Sequence, residues 1–333
     1  MNKTAFITGI GGQDGAYLAE FLLSKGYRVT GILRRHAVSE TQDWHLKHEQ
    51  HRIESMYGDL TDVSSLHLAL KKYQPDEIYN LGAMSHVRVS FDVPEYTADV
   101  NAIGTLNLLQ AMQAECPQAR FYQASSSEQF GLGVDEDGFQ RETTRMDPVS
   151  PYGCAKLFAY TMVRHWRRAF GAFACNGILF NHCSKRRGSN FVEAKIVKEA
   201  LKIKHGLADR IVLGNMDAKR DWGFSGDYVR AMWMMLQQAN PDDYVVATGE
   251  TRSVRDLCEY VFRRLGMNYL DHLKQDAKFL RPEELPYLKG DASKARRVLG
   301  WKPEFTFEQV LDQMIEHWEG LILNGTNLLA RRA

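Results

Sequence analysis

Thr4-Ala5-Phe6-Ile7-Thr8-Gly9-Ile10-Gly11-Gly12-Gln13-Asp14-Gly15-Ala16 is the stretch on which the reading of this chain turns. A short strand-like run, Thr4 to Thr8, passes straight into glycines and then into a helical pattern over residues 16–24. Gly9, Gly12 and Gly15 stand three apart. A strand that reverses tightly into a helix, admits a pyrophosphate against its backbone and packs the helix back on the strand needs a missing side chain at each of those points. The helix start then offers unpaired N–H groups to the phosphates. The spacing alone also fits an ordinary turn; between a first strand and a first helix it reads as a dinucleotide loop. Gly9, Gly12, Gln13, Asp14 and Gly15 are therefore candidate cofactor contacts.

Outward from this loop, short β-branched or aromatic runs alternate with helical stretches for about 180 residues. Strands are expected at Arg28–Leu33, 77–81, 120–125 and Ala174–Leu179, with helices such as 63–72 between them. That alternation indicates βαβ units and an α/β fold, a Rossmann doubly wound parallel sheet. After Asn181 polar, basic and glycine-bearing stretches break the rhythm. Residues 1–180 are expected to form the dinucleotide-binding domain. Residues 181–333 should be mainly a smaller C-terminal substrate-binding lobe, with pieces such as 244–248 returning to the sheet.

Composition excludes other classes. In 333 residues, 44% hydrophobic and 25% charged content are globular values that argue against disorder. A formal net charge of +1 provides no field for nucleic acid or an anionic membrane. The 5 cysteines are scattered without a C-x-x-C pair, against a disulfide framework or a zinc site, so no metal is expected. No signal-like segment and no long apolar run are visible, so a cytoplasmic enzyme is the expectation.

The second strand addresses the cofactor. An NAD site usually places an acid there for the ribose 2′-OH, whereas this chain reads Ile32-Leu33-Arg34-Arg35. Two guanidinium groups suit a 2′-phosphate, so NADP is expected, a solvated basic loop being the alternative for Arg34 and Arg35. In Gly58-Asp59-Leu60-Thr61-Asp62, Asp59 either faces the adenine or, like Asp62, caps the next helix.

The chemistry is sought in Ser150-Pro151-Tyr152-Gly153-Cys154-Ala155-Lys156, which puts Tyr152 and Lys156 on one helical face. A tyrosine acting as a base near neutrality needs about 3–4 kcal/mol of help from its ordinary pKa of about 10. A neighbouring ammonium and a cationic nicotinamide both favour the phenolate. Taken alone, the spacing is common on helices. Upstream, Tyr122-Gln123-Ala124-Ser125-Ser126-Ser127-Glu128 ends a strand. If the strand continues, Ser126 and Glu128 share a side. Ser126 would then bond the reacting hydroxyl, and Glu128 would remove a proton made acidic by a neighbouring ketone; a surface glutamate is the plain alternative.

These motifs resemble, over nearly the whole chain to about Pro303, the GDP-mannose 4,6-dehydratases, a family of extended short-chain dehydrogenase/reductase type. The resemblance is carried by Gly9 to Leu18, Gly58 to Asp62, Tyr79-Asn80-Leu81-Gly82-Ala83, Ser85-His86-Val87, Ser127-Glu128, Ser150 to Lys156 and Gly177 to His182. Leu213-Gly214-Asn215, Asp217 to Gly223 and Ala247-Thr248-Gly249 add to it. It implies a redox-neutral conversion of a GDP-activated sugar to a 4-keto-6-deoxy sugar, with Tyr152, Lys156, Ser126 and Glu128 as catalytic residues. It further implies Leu60 and Leu81 at NADP, and Ser85, Asn181, Lys195, Asn215, Arg220, Arg281 and Glu284 at the nucleotide sugar. A homotetramer or homodimer is implied, with Arg34 and Arg35 near a subunit boundary.

The chain departs from the family pattern at Ser126 (usually Thr), Met84 (Gln), Cys183 (Glu), Lys185 (Pro), Glu193 (Thr) and Ala194 (Arg). Losing an arginine and gaining Glu193 near a diphosphate should weaken an anion site unless Lys185 or Lys195 compensates. A GDP-manno-heptose is the alternative substrate. A nucleotide-sugar 4-epimerase or a reductase shares the fold, and a non-catalytic NADP(H) sensor stands furthest off. Trp222 and Trp301 are assigned to packing.

Overall fold

The computed structural model describes residues 3–35 and 44–330. Its first strand, β1 (Thr4–Thr8), is buried along its whole length. A strand buried along its whole length must be covered on both faces, as strands are in a parallel sheet between two helical layers. The chain supplies this through α1 (Gln13–Ser24), β2 (Arg28–Leu33), β3 (Ile53–Tyr57), α2 (Val63–Tyr73), β4 (Glu77–Asn80), the short α3 (Val87–Ser90) and α4 (Pro94–Ala98). There follow α5 (Gly104–Glu115), β5 (Arg120–Ser126), α6 (Pro151–Ala169) and β6 (Ala174–Leu179).

The later chain builds β7 (Asn181–Cys183), α7 (Val192–Lys204), β8 (Ile211–Leu213), β9 (Lys219–Arg220), β10 (Trp222–Phe224), α8 (Ser225–Leu236) and β11 (Asp243–Val246). It ends with β12 (Arg252–Ser253), α9 (Val254–Arg264), β13 (Leu273–Gln275) and α10 (Phe307–Ala330). Seven strands form the central sheet in the order β11-β6-β5-β4-β1-β2-β3, every pair parallel. The order reverses between β1 and β4, so their carboxyl ends open the crevice where such sheets take ligands.

Two apolar layers clamp the sheet. One gathers Leu18 and Leu22 of α1 with Met232 and Met235 of α8 and the buried Trp301; the other gathers Leu66 of α2, Leu108 and Met112 of α5 and Val163 of α6. A separate core under the crevice joins α7, α9 and α10 through Ile196, Leu257, Phe262 and Leu311. The expected return of the chain to the sheet is present as β11, paired with β6 through Tyr244↔Gly177. Several element boundaries differ from expectation by a few residues. The first helix starts at Gln13 rather than 16 because Gly12 itself is its N-cap. The fourth strand stops at Asn80, and β5 runs on to Ser126, paired with Leu179. Among the described residues no helix is long and apolar enough to cross a membrane.

Candidate active site

The glycine loop has no room for a side chain at Gly9 or at Gly15. Gly9 has φ +68°, and a Cβ there would stand 2.9 Å from Gly82 Cα; a Cβ on Gly15 would meet Gly9 O at 2.3 Å. No side chain caps α1 at Gly12, so the helix start remains open to an anion. This uncapped glycine turn fits the pyrophosphate of a dinucleotide. The side chains of Gln13 and Asp14 are engaged elsewhere: Ser184 Oγ donates to Gln13 Oε1 (3.0 Å) and His182 Nε2 lies 2.7 Å from Asp14 Oδ2. Burial pushes the Asp14 carboxyl up, but His182 and Arg187 outweigh it and hold the group below its ordinary value.

Arg34 and Arg35 are exposed just beyond β2, and the Arg34 guanidinium reaches the Tyr96 hydroxyl. Asp62, not Asp59, caps α2, accepting from Ser65 N at 3.3 Å. Asp59 folds back to accept from Thr61 N (2.9 Å) and Thr61 Oγ1 (2.8 Å). Leu60 is buried in the core beside Gly82 and Gly104, so its side chain supports the loop from beneath.

Ser150 caps α6, its Oγ accepting from Gly153 N at 3.0 Å, and Pro151 presets the first helical position. Tyr152 and Lys156 follow one turn apart on the buried face. Lys156 Nζ donates to Ala124 O at 2.9 Å and lies 5.7 Å from the Tyr152 ring centroid. Burial alone lowers its ammonium to about 8. Burial also pushes the Tyr152 phenol up to about 12; a Ser126 hydrogen bond opposes this, Glu128 adds to it, and Arg187 opposes it more weakly. The expected preference for phenolate is thus outweighed by desolvation in the protein alone.

Glu128 reaches the cavity by a different route from the expected one. The extended chain stops at Ser126, and Ser127–Gln129 coils into a tight turn in which Glu128 N donates to Ser126 Oγ at 3.3 Å. Strand alternation therefore does not apply; the turn delivers the carboxylate. Glu128 is 6% exposed, and Arg281 Nη1 donates to its two oxygens at 3.1 and 3.4 Å.

A cavity of about 890 Å³ brings Ser126, Glu128, Tyr152, Lys156, Asp14 and Leu81 together with Ser85, Asn181, Lys195, Asn215, Arg220, Arg281 and Glu284. Arg220 is 5% exposed, donates to Leu285 O at 2.8 Å and pairs with Glu284 Oε1 at 3.3 Å. Glu284 Oε1 also lies 3.7 Å from Arg281 Nε, which links three candidate sugar contacts to Glu128. Lys195 Nζ donates to Val212 O at 2.6 Å and lies 3.8 Å from the centre of the Phe279 ring. Asn215 Oδ1 accepts from Asp217 N at 3.0 Å.

One expectation about the departures needs correction, and of the two candidate compensating lysines only Lys195 lines the cavity. Ala194 and Cys183 are buried in the core of the second lobe, so Ala194 does not vacate a cavity position. Lys185 is exposed and lies outside the cavity wall, where Arg187 stands instead. The resemblance places the 181–188 stretch where the family contacts the sugar and diphosphate, without singling out Arg187 or His182 within it. The available signal is the Arg186-Arg187 pair after β7: Arg186 bonds Glu20 at 3.0 and 2.5 Å and stacks over Tyr17, while Arg187 is left to face the cavity. Trp301 is buried as expected, its Nε1 donating to Asp227 O at 2.8 Å. Trp222 stacks on Phe307, but it also lines the cavity and donates to Glu193 Oε1 at 2.8 Å.

The parallel sheet, uncapped glycine turn and buried Tyr152/Lys156 pair define an enzyme of the extended short-chain dehydrogenase/reductase type, built for a nicotinamide cofactor. The sequence profile of the family described as GDP-mannose 4,6 dehydratase matches residues 6–314. GDP-mannose 4,6 dehydratase 1 of Arabidopsis thaliana is 49% identical over 324 residues, covering 94% of this chain and 89% of its own. The human GDP-mannose 4,6 dehydratase is 48% identical over 339 residues, covering 94% and 90%. The chain belongs to the GDP-mannose 4,6 dehydratase family. Among solved structures, RMD from Pseudomonas aeruginosa complexed with NADPH matches with a TM-score of 0.79 and 26% identity, covering 96% of this chain and 99% of that one. The UDP-glucose 4-epimerase of Thermus thermophilus matches in fold, with a TM-score of 0.84 at 22% identity, covering 95% and 99%.

Proposed function

We propose that this chain dehydrates GDP-mannose to its 4-keto-6-deoxy derivative with NADP as a recycled cofactor. The observation that carries the reading is Glu128, a buried carboxylate in the same cavity as Tyr152, Lys156 and Ser126. A 4-epimerase has no use for such an acid, because its hydride leaves and returns at one carbon.

Tyr152 takes the proton of the C4 hydroxyl, with Ser126 bonding that hydroxyl and the Lys156 ammonium favouring the phenolate. The chemistry that a bound nicotinamide supplies is storage of the hydride released at C4 until C6 needs it. With C4 a ketone, the C5–H bond is acidified, and Glu128 takes that proton. The same carboxyl hands a proton to the C6 hydroxyl, which departs as water. As C6 is reduced, C5 takes back a proton from Tyr152, whose phenolic proton exchanges with solvent, so solvent hydrogen enters at C5 and both the proton and redox balances close.

Gly9, Gly12, Gly15 and the open start of α1 would hold the pyrophosphate, with Gln13 and Asp14 contributing their backbone. Arg34 and Arg35 support NADP over NAD, as does the NADPH-bound relative. Asp59, Leu60 and Leu81 border the same end of the sheet. Ser85, Asn181, Lys195, Asn215, Arg220, Arg281 and Glu284 are assigned to the nucleotide sugar. Residues 1–180 serve mainly the cofactor and 181–333 mainly the sugar, although β11 joins the central sheet and α8 packs in the apolar layer that covers it. A cytoplasmic homotetramer or homodimer, with Arg34 and Arg35 near the subunit boundary, completes the reading.

The test is incubation of the purified protein with GDP-mannose and, separately, with a GDP-manno-heptose, followed by mass analysis. Loss of one water from GDP-mannose is expected. An isomeric product of unchanged mass refutes dehydration, and loss of water from the heptose alone moves the substrate.

A further inference from the structure

Glu193 and Arg187 form a charged pair in the cavity wall that the proposed chemistry does not use. Glu193 is 2% exposed on the first turn of α7. Its Oε1 accepts from Trp222 Nε1, while its Oε2 is buried without a hydrogen-bond partner. Arg187 Nε, also buried and unpartnered, lies 3.6 Å from that Oε2. The Arg187 guanidinium makes no hydrogen bond among the described residues, and it lies 3.7 Å from the centre of the Phe191 ring. Arg187 lines the cavity, and its charge is felt both at Tyr152 and at Asp14 on the glycine loop. Two features follow. The arginine is held by ring stacking, so its position survives loss of the carboxylate. Its charge, by contrast, is opposed by Glu193, which lines the same cavity.

We propose that Glu193 is an affinity-tuning residue, an internal counter-charge that weakens the hold of Arg187 on the phosphates of a nucleotide bound in the cavity. The inference rests on the nucleotide-binding reading above. It goes beyond that reading in assigning a role to a position where the family usually has threonine. A buried guanidinium without its carboxylate is costly until an anion arrives, so removing Glu193's charge transfers that cost into binding. The phosphate source is either the nucleotide sugar or the dinucleotide cofactor; the chemistry, a diphosphate meeting a stacked guanidinium, is common to both.

The experiment is calorimetric titration of the full-length protein with GDP and, separately, with NADP⁺, for the wild type, Glu193→Gln, Arg187→Met and the double variant. The amide of Gln keeps an acceptor for Trp222, so the fold is expected to persist, checked by thermal melting. Glu193→Gln is expected to tighten one of the two ligands by about ten- to fifty-fold, the effect of one unit charge at about 7 Å in a partly screened site. The gain should vanish in the Arg187→Met background. The ligand that gains identifies the phosphate source. Unchanged or weaker binding of both ligands overturns the inference, as does an equal gain with Arg187 absent. Wild-type protein that binds neither GDP nor NADP⁺ refutes the nucleotide-binding reading and this inference with it. If Glu193→Gln melts early, Glu193→Thr is titrated in its place and the same outcomes decide.

Discussion

Replacing Lys156 with Met removes one charge from a buried position while keeping the length of the side chain. The ammonium lies 5.7 Å from the Tyr152 ring centroid. At an effective dielectric of about 20, that separation corresponds to about 3 kcal/mol of phenolate stabilisation, or about a hundredfold in its population. Lys156 titrates at about 8, lowered by burial, so its charge is present below that pH and lost above it. The wild-type advantage over Lys156→Met should therefore be about a hundredfold near neutrality and shrink as pH rises through about 8. The assay is kcat for GDP-mannose dehydration from about pH 6.5 to 9.5 at saturating cofactor. Stability provides an independent check. The folded protein binds fewer protons at Lys156 than the unfolded chain between about 8 and the ordinary 10.5. Below about 8 the burial thus costs about 3 kcal/mol, and the cost fades as pH rises. Lys156→Met should unfold at higher denaturant than the wild type at neutral pH. A rate ratio independent of pH, or a variant less stable than the wild type, refutes the reasoning.

Glu128→Gln should retain oxidation at C4, visible as growth of the reduced-nicotinamide absorbance on adding substrate, and lose dehydration by about 10²–10⁴-fold. In heavy water the wild type should place deuterium at C5 and the variant should not; near-normal dehydration by the variant removes Glu128 as the base. Arg34→Ala with Arg35→Ala should weaken NADP⁺ by about ten- to several-hundred-fold, at about 1.5–3 kcal/mol per charge-assisted bond, and NAD⁺ little. Equal loss for both cofactors detaches these arginines from the 2′-phosphate. Asp221, fully buried, accepts from Thr248 N, Thr248 Oγ1 and Gly249 N, yet burial pushes its carboxyl up to about 6. The folded state then keeps that proton to higher pH than the unfolded chain. Its contribution declines by about 3 kcal/mol as pH rises from about 4 to about 6. Urea unfolding of wild type and Asp221→Asn at the two ends of that window should show their difference changing with pH; a constant difference counts against it.

The glycine turn, the strands and the Tyr152/Lys156 pair are legible in the amino-acid order because each obeys a local rule. A positive φ at Gly9, the absence of space for a Cβ at Gly15 and the four-residue spacing on α6 are properties of neighbouring residues. The same locality exposes the missing acid after β2. It fails where a side chain's fate depends on distant chain. Strand alternation brings Glu128 to the side of Ser126, but a turn capped by Ser126 delivers it, and its partner Arg281 lies 153 residues away. Asp59 and Asp62 are equivalent as caps until the fold directs one carboxylate to Thr61 and the other to Ser65. Ala194 and Glu193 are adjacent on α7, yet helical rotation sends one into the apolar core and the other beneath Arg187. Charge state is the least legible property. Tyr152 and Lys156 move in opposite directions from their ordinary values because both are desolvated, and desolvation is set by everything packed around a group.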